Sequence, residues 1–175
     1  VGGTSAGDFY VYVSHFKSGT TTTDKNRRNV EAQMLRTNAQ TLPATVRIIY
    51  MGDFNMTAST ESAYVTLAAS GTGQAFDPID EPGTWEYDSS RMFIMTCSST
   101  SLRYRADLHL LTNNIMYDPA GLLYIANSYR PFGNNGSVSL GMSVNSGSNT
   151  ALPGLPNRSA VLSALASTSD HVPVV

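Results

Sequence analysis

Three carboxylates, two imidazoles and an amide stand where apolar runs of this sequence come to an end: His15, Asp53, Asn55, Asp107, Asp170 and His171. A carboxylate can ligate a hard metal ion or take a proton, and an amide beside it can orient a water molecule or a phosphate oxygen. The densest of these places is Val46-Arg47-Ile48-Ile49-Tyr50-Met51-Gly52-Asp53-Phe54-Asn55. Its apolar part reads as a buried strand that the backbone leaves at Gly52. Extension of the strand alternation puts Asp53 and Asn55 on one face and turns Phe54 back to the core. Each residue also has a plain structural explanation. Gly52-Asp53-Phe54-Asn55 fits a strand end with an Asx-type turn, His15 a satisfied histidine, Asp107 a partner for Arg105, and Asp170 a turn former ahead of Pro173. Lys17 and Arg130 fit either phosphate binding or solvated loop charges. His109 reads as structural, and Cys97 with Met92 to Met95 as core or loop filler.

The elements that would carry these groups alternate between strand and helix. Asp8 to Ser14 alternates as a strand and runs into Ser14-His15-Phe16-Lys17-Ser18. Asp24 is a candidate N-cap for a helix from Arg27 to about Leu42, with Val30, Met34 or Leu35, Asn38 or Ala39 and Leu42 on its inward face. Pro43 stops it, and the 46–55 strand completes a crossover unit. A second helix is expected over 57–69, capped by Thr57, Ser59 or Thr60, and irregular chain over 74–104. Further strands are expected at 105–111, 122–126 and 169–175. Residues 133–157 read as a long mobile loop, and 159–166 as a short helical turn. No internal repeat or linker divides the 175 residues, which read as one domain.

Composition narrows the function classes. Hydrophobic residues make up 41%, mean hydropathy is -0.14, and no apolar run has membrane-spanning length. Charged residues are only 14%, against roughly 25% in an average soluble domain. Ser, Thr, Asn and Gly fill the surface instead, a pattern more usual outside the cell. With one cysteine, no internal disulfide forms. The net charge of -2 provides no overall basic field for nucleic acid, so any phosphate binding is local or metal-assisted.

Taken together, Ser14-His15-Phe16-Lys17-Ser18, Gly52-Asp53-Phe54-Asn55, Arg105-Ala106-Asp107 and Ser169-Asp170-His171-Val172-Pro173 resemble, in order and spacing, the motifs of the endonuclease/exonuclease/phosphatase superfamily. The phrase Ser128-Tyr129-Arg130-Pro131-Phe132-Gly133-Asn134 resembles a secreted bacterial branch of it. The resemblance implies an α/β fold of two sheets flanked by helices, and an extracellular divalent-metal-dependent phosphodiesterase using Mg2+, or Mn2+ or Ca2+. It implies that Asp53 activates the attacking water and that Asn55 holds that water or a phosphate oxygen. His171 would contact the scissile phosphate with Asp107 behind it, His15 would be the second imidazole, and Asp170 would sit at the metal. Lys17 and Arg130 would meet substrate. Nucleic acid is the default substrate, with phospholipid head groups and inositol phosphates as the other classes served by such sites.

The family's principal metal-ligand glutamate, an asparagine near its first strand and the acid that pairs with its first histidine belong upstream of these motifs. Glu31, Glu61, Glu81 and Glu86 do not stand in the matching context. The resemblance therefore implies that residues 1–175 are the C-terminal portion of one such domain. They would be partnered by its N-terminal part and impaired without it. The contrasting reading is a secreted structural or adhesive module that keeps the fold without the chemistry.

Overall fold

Alternating aromatic and β-branched residues make Phe9–His15 a strand, β1, as the sequence predicts. The computed structural model of the chain describes residues 7–175; the glycine-containing lead, 1–6, lies outside the described residues. Helix α1 spans Thr22–Gln40 and returns the chain to β2, Arg47–Asp53, which runs parallel to β1. The pairing runs from Phe9 opposite Arg47 to His15 opposite Asp53, so both strands end at the same level. Strand β3, Asp107–Leu111, completes a three-stranded sheet in the order β1-β2-β3. The α/β class read from the sequence is the observed one.

The chain packs as two compact units. One runs to Gly83 and takes up Leu108–Ser128; the other comprises Thr84–Asp107 and Tyr129–Val175. In the first, α1 begins at Thr22, ahead of the Arg27 that its sequence suggests. Thr21, not Asp24, is its N-cap, and Asp24 closes a capping box from the third helical position. Its inward face also differs. Ala39 is buried, as one of the expected alternatives, but Val30 and Met34 are exposed and Arg28, Ala32 and Arg36 are buried in their place.

The reason is that both arginines have partners. Arg28 forms a two-pronged bond with Glu61 (Nε–Oε1 2.5 Å, Nη2–Oε2 3.0 Å) and donates through Nη1 to the carbonyls of Lys17 and Gly19. Arg36 donates to the carbonyls of Ala69 and Thr72 at the end of α2, Ser62–Ala68. Tyr50 donates to Gly73 O at 2.7 Å. Gly73 has φ +74°, and a Cβ there would lie 2.7 Å from that of Ala39, so only glycine fits.

Helix α2 is shorter than expected, because the Glu61 carboxylate accepts Thr57 N–H (3.3 Å) and the chain becomes helical only afterwards. No strand forms over 122–126. The chain there is irregular, follows a short helix α3, Asn113–Tyr117, and is tied back by Tyr124 N–H to Ile115 O. β-Propensity without a partner strand does not make a strand.

The second unit has little regular structure. It contains a 3-10 helix, Ser89–Ile94, capped by Asp88, and α4, Arg158–Thr168, around a core of Met92, Met95, Leu102, Val138, Val144, Leu162 and Val172. The strand expected over 169–175 is present only as bridges at His171 and Val174. The loop expected to be mobile over 133–157 is instead pinned from within. Asn134 and Asn149, each 3% exposed, donate to the carbonyls of Met92 and Met95 and of Gly133 and Val144 respectively. These amides satisfy backbone carbonyls that a sheet would otherwise satisfy.

Arg28→Ala leaves the Glu61 carboxylate buried without its partner and frees the Lys17–Gly19 turn. Its expected cost is about 3–5 kcal/mol in denaturant unfolding. A cost below about 1 kcal/mol would mean that the pair is solvated rather than buried.

Candidate active site

Each unit carries its own group of the residues singled out in the sequence. In the first, the register of β1 and β2 sets His15 directly beside Asp53, and His15 Nε2 lies 3.3 Å from Asp53 Oδ2. The His15 side chain is 75% exposed, so this imidazole is open to solvent. Gly52 enables the approach. It has φ +134°, and a Cβ on it would lie 2.0 Å from Ser14 O.

Strand alternation stops at Asp53. Asn55 adopts φ +49°, its N–H donates to Asp53 Oδ1 (2.9 Å), and its side-chain amide donates to Phe16 O (3.1 Å). The alternation rule therefore does not place Asp53 and Asn55 on one face. A left-handed Asx turn sets their relation, and Asn55 joins the ends of β1 and β2. Phe54 is buried as expected and packs edge-on to Phe16. Lys17 is engaged locally: its ammonium donates to Ser18 O (2.6 Å) and pairs with Asp24 (3.2 Å), and its N–H donates to Glu31.

The second unit holds Asp107, Asp170, His171 and Arg130. Asp107 Oδ2 and His171 Nδ1 are 2.7 Å apart, with side chains 20% and 24% exposed. That separation is in the range of a charge-assisted hydrogen bond. The carboxylate, chiefly through this bond and then with help from Cys97, raises the His171 pKa from 6.5 to about 11, against an opposing effect of burial. The imidazole is thus a cation at neutral pH, with Nδ1 committed to Asp107. Asp170 is 80% exposed, and its Oδ2 is 3.9 Å from His171 Nε2, beyond hydrogen-bonding reach. Arg130 exchanges backbone bonds with Val175 and lines a groove of about 550 Å3 together with Phe132, Leu152 and Leu155.

Several residues that sequence reasoning passed over hold this pair. Thr96, fully buried, accepts the N–H groups of Ala106 and Asp107 on its hydroxyl (3.1 and 3.2 Å), and its carbonyl accepts Val172 N–H (2.8 Å). It therefore braces both ends of the Asp107–His171 connection. Ser99 donates its hydroxyl to Ser169 O (2.5 Å) and its N–H to Asp170 O (2.7 Å). The expected Arg105–Asp107 pairing is not what places Arg105: its guanidinium lies between the Trp85 and Tyr129 rings, 5.0 and 5.5 Å from their centroids. Tyr129 OH lies 3.3 Å from Asp107 O. A buried threonine or serine carries no sequence signal of such a role.

Among the described residues, no three His, Cys, Asp or Glu side chains come together as a metal site. These residues do not by themselves make up the metal centre that the resemblance implies, and Asp170 stands as a single carboxylate. No family model matches the chain, and no curated protein does. Among solved structures, the chain is similar to sphingomyelinase C from Streptomyces griseocarneus, with 18% identity, a TM-score of 0.40, and coverage of 63% of this chain and 39% of that one. It is also similar to SmcL, with 15% identity, a TM-score of 0.41, and coverage of 68% and 44%. The chain thus spans about two-fifths of each. With TM-scores below 0.5 these likenesses carry no weight for function, which has to come from this chain's own residues.

Because the folded-state pKa of His171 lies above its ordinary value, the pair's contribution to stability is complete below about pH 6.5 and is lost as pH rises through about 11. Ring NMR signals of His171 should therefore stay those of the cation through pH 9 in the parent protein. In Asp107→Asn the imidazole should titrate in the ordinary histidine range. An ordinary titration in the parent would show that the carboxylate does not hold the charge.

Proposed function

We propose that the protein hydrolyses phosphodiesters, by attack of water on a phosphate that His171 contacts as a cation. The observation that supports this reading is the Asp107–His171 pair, held at 2.7 Å and half-open to solvent. A phosphoryl group gaining negative charge in the transition state needs a preorganised positive donor. An imidazolium held against the Asp107 carboxylate supplies such a positive charge beside a phosphate oxygen. The resemblance would give Asp53 the proton of the attacking water and His15 a phosphate oxygen, while Asn55 keeps the turn that carries Asp53. Lys17 and Arg130 add positive charge near substrate.

The resemblance supplies three further parts of the proposal: dependence on a divalent ion (Mg2+, Mn2+ or Ca2+), secretion, and completion of the domain by an N-terminal part. Asp170 would give the ion one oxygen. No chemical step above depends on the metal, since the described residues do not assemble its site. Nucleic acid, phospholipid head groups and inositol phosphates all present the same diester, and the fold does not choose among them.

The test uses the full-length chain with a generic phosphodiester, DNA and a phospholipid, each with Mg2+, Mn2+ or Ca2+ and with chelator. Turnover should require the metal and fall by at least about 100-fold in Asp53→Ala and in His171→Ala. Turnover that survives both substitutions would remove the proposed roles. No turnover on any diester would remove the hydrolase.

A further inference from the structure

We infer that Tyr87, Tyr104 and Arg103 form a nucleotide-binding subsite beside His171, where an unpaired base stacks on the tyrosine rings and a phosphate meets the guanidinium; as a choice of substrate this rests on the hydrolytic reading above. Three isolated bridges fall in line and set the placement. His171 is opposite Cys97, Cys97 opposite Tyr104, and Tyr104 opposite Glu86. Directly opposed residues of antiparallel pairs project to one face. Tyr104 therefore stands on the face of His171, with their backbones two strand spacings, about 10 Å, apart. The nucleotide next to a phosphate at His171 can span that separation. All of these residues belong to the second unit.

Tyr87 is the residue that packing does not explain. Alternation from Glu86 would send its ring to the opposite face. Instead it adopts φ +52°, a left-handed conformation that is costly for a bulky side chain. Its N–H donates to Arg103 O (2.9 Å), and its hydroxyl lies 2.6 Å from that of Tyr104. The two rings meet edge to face, with centroids 5.2 Å apart and planes at 78°. Tyr87 nevertheless stays 56% exposed. A strained backbone that brings an aromatic ring to the surface gains little from burial, and strain of this kind is found where ligands are held.

Arg103 adds charge to the rings. Its guanidinium carbon is 5.9 Å from the Tyr87 centroid. Its hydrogen bonds to Ser101, from Nε to the carbonyl (3.1 Å) and from Nη2 to the hydroxyl, go to neutral oxygens and leave the positive charge uncompensated by them. Exposed aromatic rings beside a guanidinium suit the bases and phosphates of a single strand. The same cluster separates the other diester classes. A quaternary ammonium head group is drawn to a bare ring, but here a cation already lies over it and repels a second. An inositol phosphate has no planar face to stack. Glu86 closes the row on the side away from His171, where its carboxylate repels phosphate and directs the strand towards the imidazole.

The test is binding by the full-length chain, with chelator present so that turnover plays no part. The probes are a short, end-labelled single-stranded oligodeoxynucleotide and the same strand made abasic throughout, followed by fluorescence anisotropy. The parent should bind the abasic strand about tenfold more weakly or worse. Tyr87→Gly removes the ring and suits the left-handed backbone, so it should fold as the parent does. It should bind the base-bearing strand about tenfold more weakly or worse, and the abasic strand as the parent does. Tyr87→Phe keeps a ring to stack on and should stay within about threefold of the parent. Arg103→Gln should weaken both strands and lower the slope of log affinity against log salt by about 0.7.

Equal binding of the two strands by the parent, or equal binding of the base-bearing strand by the parent and Tyr87→Gly, overturns the inference. So does a preference of the parent for phosphatidylcholine vesicles over the oligonucleotide, which would assign the lipid instead. A strand bound through Tyr87 but cleaved with none of the three ions upholds the subsite and removes the hydrolase reading. Diester cleavage by a protein whose strand binding ignores Tyr87 does the reverse.

Discussion

The second unit is built around one short contact, the Asp107 carboxylate on the His171 imidazole. It joins the first residue of β3 to a bridge residue 64 positions later in a region with little sheet to hold either end. Everything that surrounds it acts on backbone placement. Thr96 fixes the amides of Ala106 and Asp107 from one side and the segment after His171 from the other. Ser99 holds Ser169 and Asp170, and the Arg105 guanidinium, clamped between two rings, fixes the approach to Asp107. Burial of Val172 beside Met92, Met95 and Leu162 then sets the depth at which His171 emerges. An ion pair needs placement within a few tenths of an ångström, and the packing supplies it through the main chain rather than through regular sheet.

The first unit solves a similar problem with buried charge. The loop that follows His15 must carry Lys17 away from the level where β1 and β2 end, and α1 holds it there with Arg28, which reaches Lys17 O, Gly19 O and Glu61 at once. An aliphatic residue at that position would fill the volume but leave the carbonyls unsatisfied. The five-donor guanidinium is suited to such a junction because one side chain can bind a carboxylate with two prongs and still cap two carbonyls. Polar groups on the inward helix face are therefore what bind the loop to the scaffold.

This division explains which parts of the molecule were readable in the sequence. The strands β1, β2 and β3 and the residues at their ends were legible, because alternation and abrupt loss of hydrophobicity are local properties. The inward face of α1 was not. Periodicity favoured Val30 and Met34, and nothing local announces that Arg28 will find Glu61 33 positions away. The segment 133–157 has the Gly, Asn and Ser content of a loose loop, yet Asn134 and Asn149 turn inward and replace the missing ladder. Thr96 and Ser99 were missed for the same reason. Their roles come from segments about 70 residues apart being laid side by side, and their residue types are ordinary anywhere.

The same contact bears on whether the site is chemical or merely structural. A half-open carboxylate–imidazole pair is a poor way to gain stability. Exposed ion pairs contribute little, and buried ones are commonly matched or bettered by apolar side chains of similar volume. Aliphatic residues of similar volume at Asp107 and His171 would serve stability about as well as the pair does. What the arrangement does supply is a cation at neutral pH, fixed by a carboxylate and with about a quarter of its side chain exposed. That is a requirement of binding a phosphoryl oxygen, not of folding, and on this ground the hydrolytic reading is preferred to the structural one.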